Sequence, residues 1–562
     1  MTNNTITFAR AMKEDMEAYG KEVNFNRAIV DISGLKRVQL RILYTMYKMK
    51  LFPNKPYAKC PDIVGNVIKL HPHADTAIYD ALVRLSQPWT LNYPLIDFDG
   101  QNGSEDNDPP AASRYTQARL SPYGYALINN IEATSPFVDD YADHGKEPHY
   151  LIPSFPSLLV NTSKGIGVAA ACNFLPHTIE DISAVIQQRI SETPETEVLA
   201  KLLPTFPTGG ILMNGADLPD IYKSGRGSIK LRAKHRIDGS RIIFTELPYQ
   251  VSRTSVIEAI QEKKDSRVLS VYDTSDMKQK SITIELRASV DKEAFIEELF
   301  KITRLEDSFN VNMTIHDREK VELRSFLSLV DEYIEQQHYR ITRVASAIRV
   351  SALEKQLELE GFIEVLPHID RVIEIIKTSA NKQEAAATLK AEFDLMDPQV
   401  AAILAIKLSQ LTKRGIDDIR EEIEALEKTI AEQLEIINDE QVRNSIMMSE
   451  MTSLPKQNLK MQVEMNSIPQ SSAVEVRRSM KATNGDVLYI HDEDEILIVT
   501  AERRGYRIKG KSLDKMPKDE VVLLHTPEWV QSQNSLDLFG MKIHPSIILV
   551  QCKSARGANL KL

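Results

Sequence analysis

Two apolar stripes at helical spacing, separated by about 70 residues, constrain the fold of this chain more than any other feature of its sequence. Leu327, Val330, Ile334, Ile341, Val344 and Ile348 recur at steps of three, four and seven, as do Ile416, Ile419, Ile423, Leu426, Ile430, Leu434 and Ile437. Each stripe marks one face of a long helix, and a compact helical stretch separates them. Residues 326–451 are therefore expected to form an antiparallel helical arm with a small domain at its tip and a possible dimer contact. Such an arm needs a body to stand on, and 562 residues exceed what one core holds, so three to five domains are expected.

Residues 1–150 read as short helices and turns broken by prolines, and 151–325 as mixed strands and helices, with alternating runs such as "SIKLRAKHRI" and "RIIFTEL". Residues 452–483 read as a polar linker, and 484–562 alternate again as a small β-unit. The fold class is thus α+β and multidomain. No apolar run approaches the ~18 residues that cross a bilayer, and Met1 to Thr5 is not a signal sequence, so an intracellular chain without a membrane partner is expected. Three cysteines, Cys60, Cys172 and Cys552, with no Cys-x-x-Cys pair, argue against a disulfide framework and a thiolate zinc site.

A net charge of −10 speaks against an acidic partner, but the average conceals a local excess. From Arg27 to Lys59 eight basic residues face the single acid Asp31, a local charge of +7 suited to phosphate binding or to a solvated helix face. Within it, Leu35, Val38, Ile42, Leu43 and Met46 line one side of a helix and leave Lys36, Arg37 and Arg41 to the solvent side.

Three motifs invite chemistry that their context refuses. Gly505 to Ser512 matches the phosphate-cradling G-x-x-x-x-G-K-[ST], yet only four residues separate Ser512 from Pro517, too few for the required helix, so a basic β-hairpin is expected. Gly165-Ile166-Gly167-Val168-Ala169-Ala170 resembles a dinucleotide fingerprint, but Pro176 cuts short any helix and no acid follows at the required offset. Asp492 to Glu495 reads as an acidic turn between strands. His71-Pro72-His73 lacks a third ligand nearby; phosphate contact and proton handling, or a helix cap at Asp75-Thr76 plus core, remain open.

Taken in order, "GLKRVQLRILYTM", "HPHADTAIYD", "ASRYTQARL" and "LLVNTSKGIGVAAACNFLPHTI" resemble the A subunit of the bacterial type IIA DNA topoisomerases, gyrase and topoisomerase IV with their phage and plasmid relatives. The likeness runs from about residue 8 to 450 and includes "SGRGSIKLR", "ELPYQV" and "AILAIKLSQLT". It implies a winged-helix cleavage domain at 1–150, an α/β tower domain at 151–325 and a coiled-coil arm ending in an exit gate that dimerises near Gln399 to Thr412. It also implies that Tyr115 attacks a DNA phosphodiester to leave a 5′-phosphotyrosyl link, with Arg114, Arg27 and His73 as further active-site residues. Lys36, Arg37, Arg41, Lys59, Lys69 and His71 are expected at the DNA, and Ile166 as a wedge between base pairs. Thr76 and Asp80 match the pair that anchors quinolone drugs through a water–magnesium bridge.

The resemblance further implies double-stranded DNA as substrate, a homodimer, and a B-type subunit that binds both ATP and Mg²⁺ in an A2B2 enzyme. The setting would be the cytoplasm of a bacterial host, on nucleoid, phage or plasmid DNA. Departures mark a divergent member: Arg37, Gln39 and Leu40 stand where the family usually has proline, histidine and arginine. The wrapping domain of gyrase and its Gln-Arg-Arg-Gly-Gly-Lys-Gly box are not found, so relaxation and decatenation without negative supercoiling are expected. Two alternatives are a catalytically silent dimeric DNA-binding protein of the same fold and an NTPase using Lys511.

Overall fold

The computed structural model describes residues 8–457 except 144, 276–279, 318 and 406–415, together with 459; beyond these it describes the backbone of short strands. The chain divides into two compact units, Met1–Met465 and Asn466–Leu562.

In the first unit one hydrophobic core runs from Ala28 to Ile341 and takes in Met447 and Met451, so it continues across the boundary expected at residue 150. Its centre is the helix Arg37–Lys48, whose buried Leu40, Ile42, Leu43 and Met46 meet the helices Cys60–Val67, Asp75–Arg84 and Pro122–Ile128. Beside these helices, Gln117–Leu120 forms the middle strand of a three-stranded antiparallel sheet, between Ala58–Lys59 and Ile96–Asp99. A six-stranded sheet follows, in the order Glu464–Met465, Ile211–Leu212, Arg226–Arg232, Glu306–Asn312, Ala171–Asn173, Lys164–Ile166.

Residues 233–305 hold a separate core of their own. Four antiparallel strands, Lys234–Asp238, Arg241–Glu246, Ile282–Leu286 and Val268–Asp273 in spatial order, carry the helices Arg253–Glu262 and Lys292–Ile302. Arg253 ties this body to the loop that leads to Tyr115. Its nearly buried guanidinium meets Glu105 at 3.3 Å and Asp273 at 3.1 Å and pairs with Asp106, whose Oδ1 also accepts from the Arg253 backbone N–H at 2.7 Å.

The arm forms as its stripes require. The 40-residue helix Phe326–Val365 packs along Ile416–Asn438. Leu359 and Phe362 share a core with Ile419 at the tip, while at the base Ile341 belongs to the main core and Ile436 packs against that core, so the two helices run antiparallel. Ile348, expected in the contact line, is 43% exposed; the small Ala345 and Ala352 are buried instead. A 3.6-residue turn carries the seam off a strict seven-residue step, and alanines let the partner helix come close. At the base, Tyr333 donates to the Ser154 carbonyl at 3.1 Å, Gln337 donates to that of Pro153, and buried Arg340 pairs with Glu450. Gln399 is internal, its amide donating to the Leu357 carbonyl at 3.2 Å, and Val400 and Ile403 are buried beside it on the helix Asp397–Ala405; residues 406–412 of the expected dimer segment lie outside the described residues.

In the second unit Gly505–Lys509 is a strand paired antiparallel with Glu495–Thr500, as the hairpin expectation required; Gly510 to Ser512 and Asp492 to Asp494 lie outside the described residues. The stretch expected as a linker contains strands, Glu464–Met465 and Arg478–Lys481. Each pairs with a partner from outside the polar stretch, which composition does not reveal.

Removing the Arg253 guanidinium takes the ion-pair partner from Asp106 and Asp273 and leaves Glu105 only Lys280, so Arg253→Met is expected to cost about 2 kcal/mol. A denaturant titration should show earlier loss of the 233–305 body and faster proteolysis between 100 and 112; wild-type cleavage of that loop would refute the latch.

Candidate active site

Tyr115 ends a tight turn, Ser113–Tyr115, and its ring is 66% exposed. Thr116, extended and fully buried, follows the exposed Tyr115 and leads into the strand Gln117–Leu120, where Ala118 and Leu120 are buried in turn. The turn is pinned from several sides. The Tyr115 N–H donates to the Ala112 carbonyl at 2.9 Å, and the Thr116 carbonyl accepts from the Cys60 N–H at 3.1 Å. The Arg114 guanidinium lies 4.6 Å from the centroid of the Tyr115 ring, a cation held against the phenol by stacking. Lys59, exposed, pairs with Gln117 on the adjoining strand and so adds a second cation beside the turn. Sequence reasoning missed Tyr79, whose hydroxyl donates to the Ala111 carbonyl at 2.6 Å and lies 3.0 Å from the Thr116 hydroxyl.

Tyr79 belongs to the helix Asp75–Arg84, which shows Thr76 and Asp80 to solvent one turn apart. Of the alternatives left open for this run, the cap at Asp75-Thr76 is not formed: Ala74 occupies the capping position, and Asp75 accepts from the Thr76 N–H at 2.8 Å. Of the two histidines before it, His73 is exposed and His71 is buried, with the rings 4.4 Å apart. His71 is therefore not placed at the surface as a DNA contact. Its Nδ1 lies 2.8 Å from Nη1 of Arg41, and since a guanidinium only donates, that nitrogen accepts. Burial, with the Arg41 charge behind it, brings the imidazole down to about 4 and keeps it neutral.

The basic helix departs most from expectation. Arg37 and Arg41 do not face solvent; both are turned onto Glu147, whose side chain is 4% exposed. Glu147 accepts from Arg37 Nη2 at 2.6 Å and from Arg41 Nε and Nη2 at 2.7 and 2.8 Å, while Arg37 Nη1 reaches the Pro148 and His149 carbonyls at 2.9 and 2.8 Å. Burial pushes the Glu147 carboxyl up, but the two guanidinia outweigh it and hold the group below its ordinary value. The strand Lys146–Pro148 thus covers the supposedly free face, and two of the eight local cations are spent on structure. Lys36 is half-buried, its backbone N–H bound to Gln39 Oε1 at 2.8 Å, and burial lowers its ammonium. Lys48, Lys55, Lys59 and Lys69 stay exposed, with Lys69 donating to Asn66 at 2.9 Å.

The Gly-x-Gly segment is a β-hairpin, Lys164–Ile166 with Ala171–Asn173, which removes the dinucleotide alternative. Its glycines permit close approach: a Cβ on Gly165 would lie 1.8 Å from the Ala28 carbonyl, and one on Gly167 2.0 Å from Asn24 Oδ1. Asn24 grips the hairpin tip by accepting from the Val168 N–H at 2.8 Å and donating to its carbonyl at 3.0 Å. The turn Asn24–Ala28, which carries exposed Arg27, is thereby fixed to the hairpin that presents Ile166, 79% exposed. Ile166 rims an open groove of about 900 Å³, with Lys36, Arg84 and Lys164 as its cations. Sequence reasoning passed over Arg84 and Lys164. Tyr115 and Arg27 do not line this groove; the structure brings Arg114 and Lys59 to Tyr115, and Lys36 to Ile166.

A pH test isolates the His71 contact. Folded, the group titrates at about 4 against 6.5 ordinarily, so between these values the unfolded chain binds the extra proton. The stability attached to neutral His71 is complete above pH 6.5 and is lost as pH falls towards 4, by about 2 kcal/mol between pH 7 and pH 5. His71→Gln keeps an acceptor for Arg41 without titrating, so its unfolding midpoint should fall less steeply over that range; the residual slope includes buried His177, also at about 4. Equal slopes for both proteins would refute the assignment.

The family model for the A subunit of DNA gyrase/topoisomerase IV matches residues 27–452, a span that holds every residue named in this site apart from Asn24. The chain is 36% identical over 465 residues to the DNA gyrase A subunit of Clostridium acetobutylicum, covering 80% of this chain and 56% of that protein. It is 37% identical over 429 residues to that of Thermotoga maritima, covering 74% and 53%. To the DNA topoisomerase 4 A subunit of Bacillus subtilis it is 35% identical over 454 residues, covering 78% and 56%. The chain thus spans little more than half the length of these relatives. With the family matched across most of its residues, the chain belongs to the family of DNA gyrase and topoisomerase IV A subunits.

Proposed function

We propose that the chain is the breakage-and-reunion subunit of a type II DNA topoisomerase, with Tyr115 as nucleophile. The observation that carries this is an exposed phenol on an immobilised turn with a guanidinium stacked against it. A phenol is a poor nucleophile in neutral water; a fixed cation favours its phenolate and the negative charge that grows on the phosphate. The phenolate oxygen would attack phosphorus to form the 5′-phosphotyrosyl ester, and the bond to the 3′ oxygen would break, that oxygen leaving with a proton as a hydroxyl. Attack by the same hydroxyl reverses the step and reseals the strand, since one phosphodiester replaces another at little cost.

Two surfaces support DNA as the substrate. Lys36, Arg84 and Lys164 line the groove beneath Ile166, which stands out as an apolar wedge on a backbone too tightly held to fold back. Arg27 and His73 are exposed near these elements and are kept in the proposed active site, with Lys59 and Lys69 at the backbone. Arg37, Arg41 and His71 act instead from inside, holding the helix that carries Lys36. A winged-helix role for 58–120, a tower role for the strands after 151 and an exit gate at the arm's tip belong to the same proposal. Thr76 and Asp80 form an exposed pair able to share a hydrated magnesium ion with a quinolone.

ATP and Mg²⁺ are assigned to a B-type partner, two copies of which would join two of this chain in an A2B2 enzyme in the bacterial cytoplasm. Among the described residues no helix is long and apolar enough to cross a membrane. The expectation of relaxation without negative supercoiling concerns the stretch after 465, where only strand backbone is described.

Tyr115→Phe, reconstituted with supercoiled DNA and the B-type partner, is expected to bind DNA like the wild type yet give no denaturant-trapped adduct and no relaxation. Adducts that survive the substitution would point to another nucleophile. DNA binding without adducts by the wild-type complex would favour the catalytically silent alternative.

A further inference from the structure

We infer that Tyr79 and Thr116 form a positioning device for the Tyr115 turn, one that links the turn to the helix bearing Thr76 and Asp80. The inference rests on Tyr115 being the nucleophile, and it is carried by the way hydroxyl groups converge beneath the turn.

Tyr79 is half-buried on the inner side of the helix Asp75–Arg84. Its hydroxyl donates to the Ala111 carbonyl at 2.6 Å, four residues before the nucleophile. The same oxygen lies 3.0 Å from the Thr116 hydroxyl, one residue after it, and that hydroxyl in turn donates to the Ser113 carbonyl at 3.1 Å. The two side chains therefore hold the chain before the turn at Ala111, at its start at Ser113 and just after it at Thr116. Thr116 is held in place by more than this bond: it is fully buried, Gly100 packs against its methyl, and its carbonyl accepts from the Cys60 N–H at 3.1 Å.

The proton count gives the arrangement its significance. Tyr79 and Thr116 supply one hydroxyl proton each, against three contacts: Tyr79 to Ala111, Thr116 to Ser113, and Tyr79 to Thr116. When each hydroxyl bonds its carbonyl, both ends of the turn are tied and the two oxygens merely touch. When Thr116 turns to donate to Tyr79, the side-chain bond to Ser113 is lost and the turn is held less firmly. A small displacement of the helix along Tyr79 shifts the balance between these arrangements, so contacts on the outward Thr76 and Asp80 face reach Tyr115 without touching it. Transfer to phosphorus needs the phenol oxygen in line with the departing oxygen, and misplacement by a fraction of a bond length is costly.

The test uses substitutions that delete a hydroxyl and little else, Tyr79→Phe and Thr116→Val, with Thr116→Ser as the conservative control. In the complex with DNA and the B-type partner, both deletions are expected to slow formation of the trapped adduct about tenfold, with DNA affinity within about twofold of the wild type. Thr116→Ser should restore the rate. In the isolated 562-residue chain, amide hydrogen exchange over 113–117 should quicken several-fold in both deletions, which reads the positioning even where no adduct forms. Unchanged exchange, or a Thr116→Ser protein as slow as Thr116→Val, would overturn the inference. Lack of adducts in the wild type, with exchange still quickened by the deletions, would instead count against Tyr115 as nucleophile.

Discussion

The carboxylate of Glu147, enclosed by the guanidinia of Arg37 and Arg41, fixes the element on which the rest of the site is assembled. The helix Arg37–Lys48 touches the helices Cys60–Val67, Asp75–Arg84 and Pro122–Ile128 and the strand that follows Tyr115. Rotation of this helix would carry Lys36, the Cys60 contact to Thr116 and the Tyr79 contact to Ala111 with it. Three buried charges contribute little net stability, because desolvation consumes most of the attraction between them. What they confer is direction: two planar donors and one carboxylate permit few orientations, whereas apolar packing tolerates sliding. His71 continues the same logic, since a neutral ring can accept from Arg41 where a protonated one would repel it.

What the sequence revealed and what it concealed divide along the range of the interactions. Tyr115 was found through the resemblance that "ASRYTQARL" carries; the turn, outward residue, buried threonine and strand that follow one another within these residues are what the fold adds. The glycines around Ile166 could be recognised as a loop rather than a nucleotide site because Pro176 lies close by. Arg37 and Arg41 were misplaced because the residue that claims them is more than a hundred positions away, and periodicity alone cannot distinguish a solvent face from one covered by a distant strand. Tyr79 escaped for a related reason: in sequence it is one more apolar helix position, and only the fold sets its hydroxyl under the turn. The arm was legible in outline and misjudged at Ile348, where the seam drifts and alanine replaces isoleucine as the contact.

Two attachments to the main core differ in chemistry. The arm continues the core itself through Tyr333, Gln337 and Ile341, with buried Arg340 beside them, and its hydrogen bonds go to the Pro153 and Ser154 carbonyls. The 233–305 body has a separate core and meets the loop at 105–106 through ion pairs of Arg253 and Lys280. Apolar continuity is indifferent to salt, while the exposed part of an ionic latch is screened within about 10 Å at 0.1 M. The arm is thus built to stay in register with the site, and the 233–305 body combines a screenable ionic latch with an apolar anchor, Tyr249, which is buried in the main core and donates to the Thr90 carbonyl at 3.0 Å.

Around Tyr115 these devices resolve one conflict. A group that must reach a bulky external substrate cannot be buried, yet an exposed side chain on a surface turn ordinarily loses the alignment that in-line displacement demands. Here the order resides one residue away and one layer down. Thr116 has no exposure at all, its backbone belongs to the sheet edge at Cys60, and its hydroxyl belongs to the chain that ends at Tyr79. The phenol ring needs only its own two torsions settled, and the stacked Arg114 restrains those while supplying charge. Exposure and alignment are compatible because the turn ends with Tyr115 outward to act, while the extended Thr116 that follows it points inward to be held.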